Sequence, residues 1–221
     1  PKFYRKNFTA RAKREIPTIN VNAPAFGRKA VLYATCFVNY NNPQIGGAAR
    51  KVLSRNGVET EVVYPRCCGM PKLEHGDLEA VAENARKISK EMGSWINNGY
   101  DIIALVPSCA LMLKFEWPLI LPNDKNVKNL SSATYDITEY LVNIAKKEGI
   151  AEGLHPIPNG VTVHLACHAR AQNIGAKAAE MLRLLPKTDI SVIERCSGHG
   201  GSWGIMENNF EIGMKVGKPV V

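Results

Sequence analysis

Six cysteines mark this chain, at positions 36, 67, 68, 109, 167 and 196. Deprotonated, they are soft ligands suited to zinc or iron, and they are competent in redox exchange. An even count would suit disulfides in an oxidising compartment. However, the opening residues lack the charged stub, apolar stretch and small-residue cleavage site of a secretory leader, and the spacings are too wide for a small stapled scaffold. Metal or redox chemistry is the better reading. Cys67 and Cys68 are adjacent, so their sulfurs point in different directions. A single tetrahedral zinc would be awkward to serve from both, whereas a multi-iron cluster accepts ligands spread in space. Gly69 follows and lets the backbone turn tightly around a bulky inorganic core. Taken singly, each cysteine reads better as a small buried hydrophobe, and a reversible Cys67–Cys68 disulfide is a further alternative. The metal reading rests on the set.

Elements must aim those sulfurs. From Lys29 onward, short β-branched runs alternate with amphipathic helical segments, the pattern of parallel βα units. Strands are expected at 30–35, 59–64, 101–106, 161–166 and 189–194. Helices are expected over Ile45 to Asn56, Asp77 to Asn97, Ile137 to Lys147, Ile174 to Leu185 and Glu207 to Val216, where apolar residues recur three or four apart. Cys36, Cys67-Cys68 and Cys109 each follow directly on an expected strand. Four thiols are therefore expected to converge on the carboxyl edge of one parallel sheet, where ligands bind. Each precedes a helix or a glycine turn whose backbone N–H groups favour thiolate. Pro118 to Ser132, rich in Pro, Asn, Asp and Lys, reads as the main irregular connection.

The two halves on either side of that connection are copies. Aligning Ile45 to Gly69 with Ile174 to Gly198 places Cys67 on Cys196 and Gly69 on Gly198 without a gap. It also matches Ala49 with Ala178, Leu53 with Leu182, Val63 with Val192 and Arg66 with Arg195. Cys36 and Cys167 each end a strand upstream. The expected fold is therefore α/β, two duplicated βα half-domains with short parallel sheets and cysteines at the strand C-terminal ends. The expected division is a basic arm or linker over 1–28, a first half-domain over 29–117, a connection with one helix over 118–160, and a second half-domain over 161–221. The duplicate of Cys109 would fall beyond Val221, and the chain opens on Pro1 without a methionine, so a piece of a longer protein is expected.

The chain has 221 residues, 45% of them hydrophobic and 22% charged, with a net charge of +8, a globular composition. Seven of its basic residues stand in the first 28 against the single acid Glu15, so the remaining body is close to neutral. That argues against a nucleic-acid groove, which must neutralise many phosphates. The longest apolar runs, such as Ile102 to Val106, are far short of a membrane span. The expected location is the cytoplasm, with the basic arm suited to peripheral contact with an anionic membrane face.

Cys36, a spacer of thirty residues, Cys67-Cys68-Gly69, a spacer of forty and then Cys109 together resemble the cysteine-rich CCG domain family of heterodisulfide reductase and its relatives. The segments Leu32-Tyr33-Ala34-Thr35-Cys36, Pro107-Ser108-Cys109, Ala166 to Gln172 and Arg195 to Gly201 are most similar to the branch containing the iron-sulfur subunit of anaerobic glycerol-3-phosphate dehydrogenase. The resemblance implies an oxidoreductase subunit rather than a stand-alone enzyme. Such a subunit carries an iron-sulfur cluster, 4Fe-4S or non-cubane, with zinc in one half of some members, and passes electrons from a flavoprotein dehydrogenase to quinone or another carrier. The implied ligands are Cys36, Cys67, Cys68 and Cys109 in the first half and Cys167 and Cys196 in the second.

Two positions depart from the family pattern. Met112 stands where a C-x-x-C after Cys109 would place its second thiol, and Ser197 where the second half would have its vicinal cysteine. His168 and His199 offer nitrogen donors there, with a hydrogen-bonding turn role as the alternative for each. His164 reads as a structural strand residue. Gly198, Gly200 and Gly201 give a weak signal for an anion nest. Two other functions remain open at this point: a disulfide reductase acting through the cluster or the Cys67-Cys68 pair, and a zinc-binding docking module. A hydrolase built on Cys167 and His168 is disfavoured, because adjacent side chains on an extended chain end point apart.

Overall fold

The structure, a computed structural model, describes residues 3–201 and 203–220. The chain forms two compact units, Pro1–Gly153 and Leu154–Val221. The strands are β1 (Lys29–Tyr33), β2 (Glu59–Val63), β3 (Asp101–Ala104), β4 (Thr134–Asp136), β5 (Val161–His164) and β6 (Ile190–Ile193). The helices are α1 (Phe8–Ala12), α2 (Pro43–Arg55), α3 (Met70–Glu74), α4 (Leu78–Asn97), α5 (Pro107–Leu111), α6 (Trp117–Ile120), α7 (Lys125–Ala133), α8 (Ile137–Lys147), α9 (Cys167–Ala171), α10 (Lys177–Leu182) and α11 (Phe210–Gly217).

In the first unit the sheet order is β2-β1-β3-β4, all parallel. β1 lies between β2 and β3, and Ala30 through Ala34 are wholly buried, as expected of a strand covered on both faces. The α4 face presents Val81, Ala85, Ile88 and Met92 at helical spacing to a core that includes Ile102, Met112, Leu113, Trp117 and Leu130. Asp77 caps α4 by accepting the Ala80 N–H at 3.2 Å. Asp136 ends β4 and also caps α8 in a reciprocal pair with Glu139.

Three features differ from the sequence expectation. The segment over 1–28, expected as an arm or linker, carries α1 with Phe8 buried at 1% exposure. The Phe8 ring sits so close to α2 that a Cβ added at Gly46 would lie 2.5 Å from it. The largely buried Arg50 guanidinium fastens the same segment, donating to the Ala12 and Glu15 carbonyls at 2.9 and 3.0 Å and to Thr60. Arg28 also bonds Glu148 at 2.6 Å and lies 3.7 Å from Asp101. Second, the stretch expected to be irregular contains most of α6 and of α7. Asp124 starts α7 by accepting the Asn126 and Val127 N–H groups, so the polar cluster there is a helix start as well as a loop. Third, the connection expected over 118–160 contributes β4 to the first sheet, and the first unit runs on to Gly153.

The second unit pairs β5 and β6 in parallel. Its loop after β6 meets α11 through glycine backbones. A Cβ on Gly198 would fall 1.9 Å from the Gly213 carbonyl oxygen, and one on Gly217 would fall 2.5 Å from the Ser197 oxygen. α10 and α11 are shorter than the helices expected there or shifted from them.

Candidate metal and redox site

The register Tyr33↔Val63 and Tyr33↔Ala104 sets the ends of β1, β2 and β3 side by side. Cys36, Cys67-Cys68 and Cys109 emerge just beyond these ends. Thr35 takes a left-handed φ of 49° and sends the chain into a π-helical turn, Phe37–Asn41, which Cys36 opens. Cys67-Cys68-Gly69 turns into α3 with Gly69 at φ 88°, a conformation that suits glycine. Cys109 lies in α5, which runs into a second π-helical turn, Met112–Glu116. Such π turns occur frequently at functional sites.

The four side chains form a connected line of thiols. Cys36 hydrogen-bonds Cys67, Cys67 bonds Cys68, and Cys68 bonds Cys109. Cys68 and Cys109 are buried, while Cys36 and Cys67 are partly open to solvent. Backbone N–H groups reach three of the sulfurs: Phe37 to Cys36, Gly69 to Cys67 at 3.5 Å and Met70 to Cys68. The negative charge settles on Cys67. Its thiol is held far below the ordinary thiol range, to about 2, by hydrogen bonds from Cys36 and Cys68, with help from the Gly69 N–H and Lys72 and against its own burial. Cys36 is pushed up by its bond to Cys67 and by burial. Cys68 is pushed up by its bonds to Cys109 and Cys67 and by burial. Cys67 therefore rests as a thiolate supported by protonated Cys36 and Cys68.

Aromatic side chains frame it. Tyr33 is fully buried beneath the thiols, and burial and the neighbouring Cys68, Cys109 and Cys67 push its phenol up. Its hydroxyl donates to the Arg66 carbonyl at 2.5 Å. The Trp117 indole donates to the Cys68 carbonyl at 3.1 Å. Tyr64, raised by burial and then by Cys36 and Cys67, stacks edge-on against Tyr40 at 5.5 Å. Met112, at the position of the expected second thiol, is a core residue whose methyl would lie 3.9 Å from a Cβ on Gly69. Apart from Met112, none of these neighbours was apparent as a site residue from the sequence. The aromatic residues carried no signal, because each acts through a ring or a backbone oxygen that only the folded chain brings near.

In the second unit Cys167 opens α9, and both Cys167 and Cys196 are exposed. The Cys196 sulfur accepts the Gly198 N–H at 3.4 Å, reproducing the Cys67–Gly69 arrangement. That N–H is thus engaged by sulfur in the turn that gave a weak signal for an anion nest. His168 lies in α9 and His199 in the exposed turn. His164, expected to be structural, places Nε2 2.8 Å from the Arg195 carbonyl.

Among the described residues no group of three or more His, Cys, Asp and Glu side chains is arranged to hold a single metal ion. The donor set of the first unit nevertheless fits a thiolate-ligated cluster. It has four sulfurs, three of them with backbone N–H donors, beside a glycine turn without a side chain, and a line of donors suits a cluster of several metals better than one ion.

Residues 30–114 match the family model of CCG, a cysteine-rich domain, and this segment holds all four thiols of the first unit. Among known proteins, the chain is similar to a subunit of the anaerobic glycerol-3-phosphate dehydrogenase of Escherichia coli (strain K12). The two are 29% identical over 191 residues, covering 84% of this chain and 47% of that protein. It is also similar to lactate utilization protein A of Bacillus cereus (strain B4264), 28% identical over 187 residues and covering 80% of this chain and 74% of that protein. The Geobacillus thermodenitrificans (strain NG80-2) lactate utilization protein A is 26% identical over 186 residues. The chain thus spans about half the length of the glycerol-3-phosphate dehydrogenase relatives that it matches. No solved structure matches it. No helix among the described residues is long and apolar enough to cross a membrane.

Proposed function

We propose that the chain is an iron-sulfur electron-transfer subunit in which Cys36, Cys67, Cys68 and Cys109 hold the cluster. The observation that carries this reading is the unbroken line of four thiols at one sheet edge inside the CCG segment. When bound, a cluster of 4Fe-4S or non-cubane type supplies one-electron transfer. The chain's own residues present the ligands. Cys67 is already ionised, Cys36 and Cys68 release their protons on ligation, and Cys68 and Cys109 lie in the buried interior, away from water.

The relatives' names support a dehydrogenase partner. One belongs to a glycerol-3-phosphate dehydrogenase and the other is named for lactate utilization, so both names concern small hydroxylated substrates. We assign the donor as a flavoprotein dehydrogenase and the acceptor as quinone or another carrier, with the protein in the cytoplasm or at the inner membrane face. Cys167 and Cys196, with His168 and His199 as nitrogen donors, form a second and more exposed metal position in this proposal. A second reading, direct disulfide reduction, is favoured only by the partly open Cys67 thiolate, the form that attacks disulfides.

Iron, zinc and acid-labile sulfide are to be measured per chain on protein purified without oxygen. Near-equal iron and sulfide, lost in Cys36→Ala, Cys67→Ala, Cys68→Ala and Cys109→Ala, is the expected outcome. Zinc without sulfide withdraws the electron-transfer assignment in favour of a docking module.

A further inference from the structure

We propose that Tyr33 and His164 are equivalent positioning residues, each clamping the turn that presents the second cysteine of its unit. Tyr33 stands three residues before Cys36, and His164 three before Cys167. The Tyr33 hydroxyl donates to the Arg66 carbonyl at 2.5 Å, and His164 Nε2 lies 2.8 Å from the Arg195 carbonyl. A carbonyl can only accept, so Nε2 is the protonated nitrogen. Arg66 and Arg195 immediately precede Cys67 and Cys196, and in both turns the sulfur takes the N–H of the glycine two residues on, at 3.5 and 3.4 Å.

Core filling does not account for the pair. Tyr33 is sealed in the first unit, whereas His164 is only partly buried in the second, yet both side chains reach the corresponding backbone oxygen. The strand registers differ to match. Tyr33 lies opposite Val63 and reaches three residues past its partner, while His164 lies opposite Ile193 and reaches two past. The longer phenol spans the extra residue. With the carbonyl before the cysteine held, the peptide that follows is oriented so that the glycine N–H meets the sulfur. N–H···S bonds of this kind stabilise the reduced, more negative state of a sulfur-ligated centre. The bearing on redox properties rests on the electron-transfer reading, but the clamp itself does not.

Tyr33→Phe deletes only the hydroxyl, His164→Leu deletes the ring nitrogens, and His164→Gln returns an N–H at similar reach. Amide hydrogen exchange is read at Gly69 and Gly198 in the reduced, metal-free protein. Exchange at Gly69 in Tyr33→Phe and at Gly198 in His164→Leu is expected to quicken about fivefold, the loss of one ordinary hydrogen bond. His164→Gln should stay within about twofold of the parent. In protein reconstituted with iron and sulfide, Tyr33→Phe should lower the midpoint potential. Unchanged exchange in both deletion variants overturns the proposal, as does a glutamine variant no better than leucine. Faster exchange with an unmoved potential confines the residues to a structural role and overturns their assignment as positioning residues for the cluster. If Tyr33→Phe fails to fold, the His164 pair decides the matter in the other unit. If the parent binds no iron or sulfide, the electron-transfer reading fails while the exchange comparison still decides the clamp.

Discussion

A thiol held at about 2 has a reactivity signature that sets Cys67 apart from an ordinary cysteine. The perturbation is the removal of its first supporting donor, Cys36→Ala, read by alkylation in the metal-free, reduced protein. An ordinary thiol, titrating near 8.5 to 9, is only about 0.01% ionised at pH 5, and its alkylation rate rises about tenfold per pH unit up to pH 8. Cys67 is ionised throughout, so its rate should be flat over that range. Nucleophilicity falls with pKa at a slope of about 0.4 to 0.5, so a drop of about seven units costs roughly three decades against the four gained in ionised fraction at pH 5. Cys67 should therefore react about tenfold faster than glutathione at pH 5 and roughly a hundredfold more slowly at pH 8. Peptide mass spectrometry after timed iodoacetamide exposure gives the rate residue by residue. In Cys36→Ala, with the largest supporting bond gone, pH dependence should return to the lower part of the range. A Cys67 rate that climbs tenfold per pH unit in the parent protein would refute the description of Cys67 as a thiolate held by Cys36 and Cys68.

The same charge distribution predicts how stability follows pH. Cys67 titrates lower in the folded chain than in the unfolded one, so between about pH 6 and 8.5 the unfolded state binds more protons and metal-free stability should rise with pH. Urea midpoints at pH 6, 7 and 8 test this, and Cys67→Ala should remove most of the slope. Arg50→Ala, which strips the Ala12, Glu15 and Thr60 oxygens of a buried charged donor, should cost about 2 to 4 kcal/mol in urea unfolding and expose the first 28 residues to protease. Adjacent glycines in α2 should respond with opposite signs. Gly46→Ala collides with the Phe8 ring and destabilises, whereas Gly47→Ala enters open space within a helix and should stabilise by about 0.5 to 1 kcal/mol, both read by thermal melts. Gly198→Ala, with φ 73° and a Cβ 1.9 Å from the Gly213 oxygen, should loosen the second unit, seen as faster amide exchange in α11.

The strands that carry the first three cysteine positions were legible because they are β-branched runs ending at a cysteine, and the observed bounds lie within a residue or two of the expected ones at all five expected sites. β4 was not legible, since Thr134–Asp136 is too short to show an alternation and is a strand only because β3 offers it an edge. The N-terminal segment was misread because its attachment depends on one phenylalanine over a glycine and one arginine reaching carbonyls 35 and 38 residues away, and neither leaves a periodic trace. Likewise the thiol positions could be read from spacing, but the tyrosines and Trp117 around them could not, because each acts through a backbone oxygen or a ring that only the folded chain brings near.

The duplication itself shows what the fold adds to a shared motif. Both units repeat a strand, a cysteine, a helix, a second strand and a cysteine whose sulfur takes the N–H of the second residue after it, and both hold the preceding carbonyl with a side chain from the first strand. What differs is the enclosure. In the first unit β3 and α5 bring Cys109 against Cys68, and Trp117 closes over the Cys68 carbonyl, so two of the four thiols lie in the core. In the second unit Ser197 occupies the position of Cys68, the sheet has two strands among the described residues, and both thiols face solvent. A buried sulfur must share protons with its neighbours to ionise, whereas an exposed one is solvated by water. The same local geometry thus yields a hydrogen-bonded donor set, with the charge on Cys67, in one unit and solvent-accessible donors in the other, and for that reason the electron-carrying role is assigned to the first.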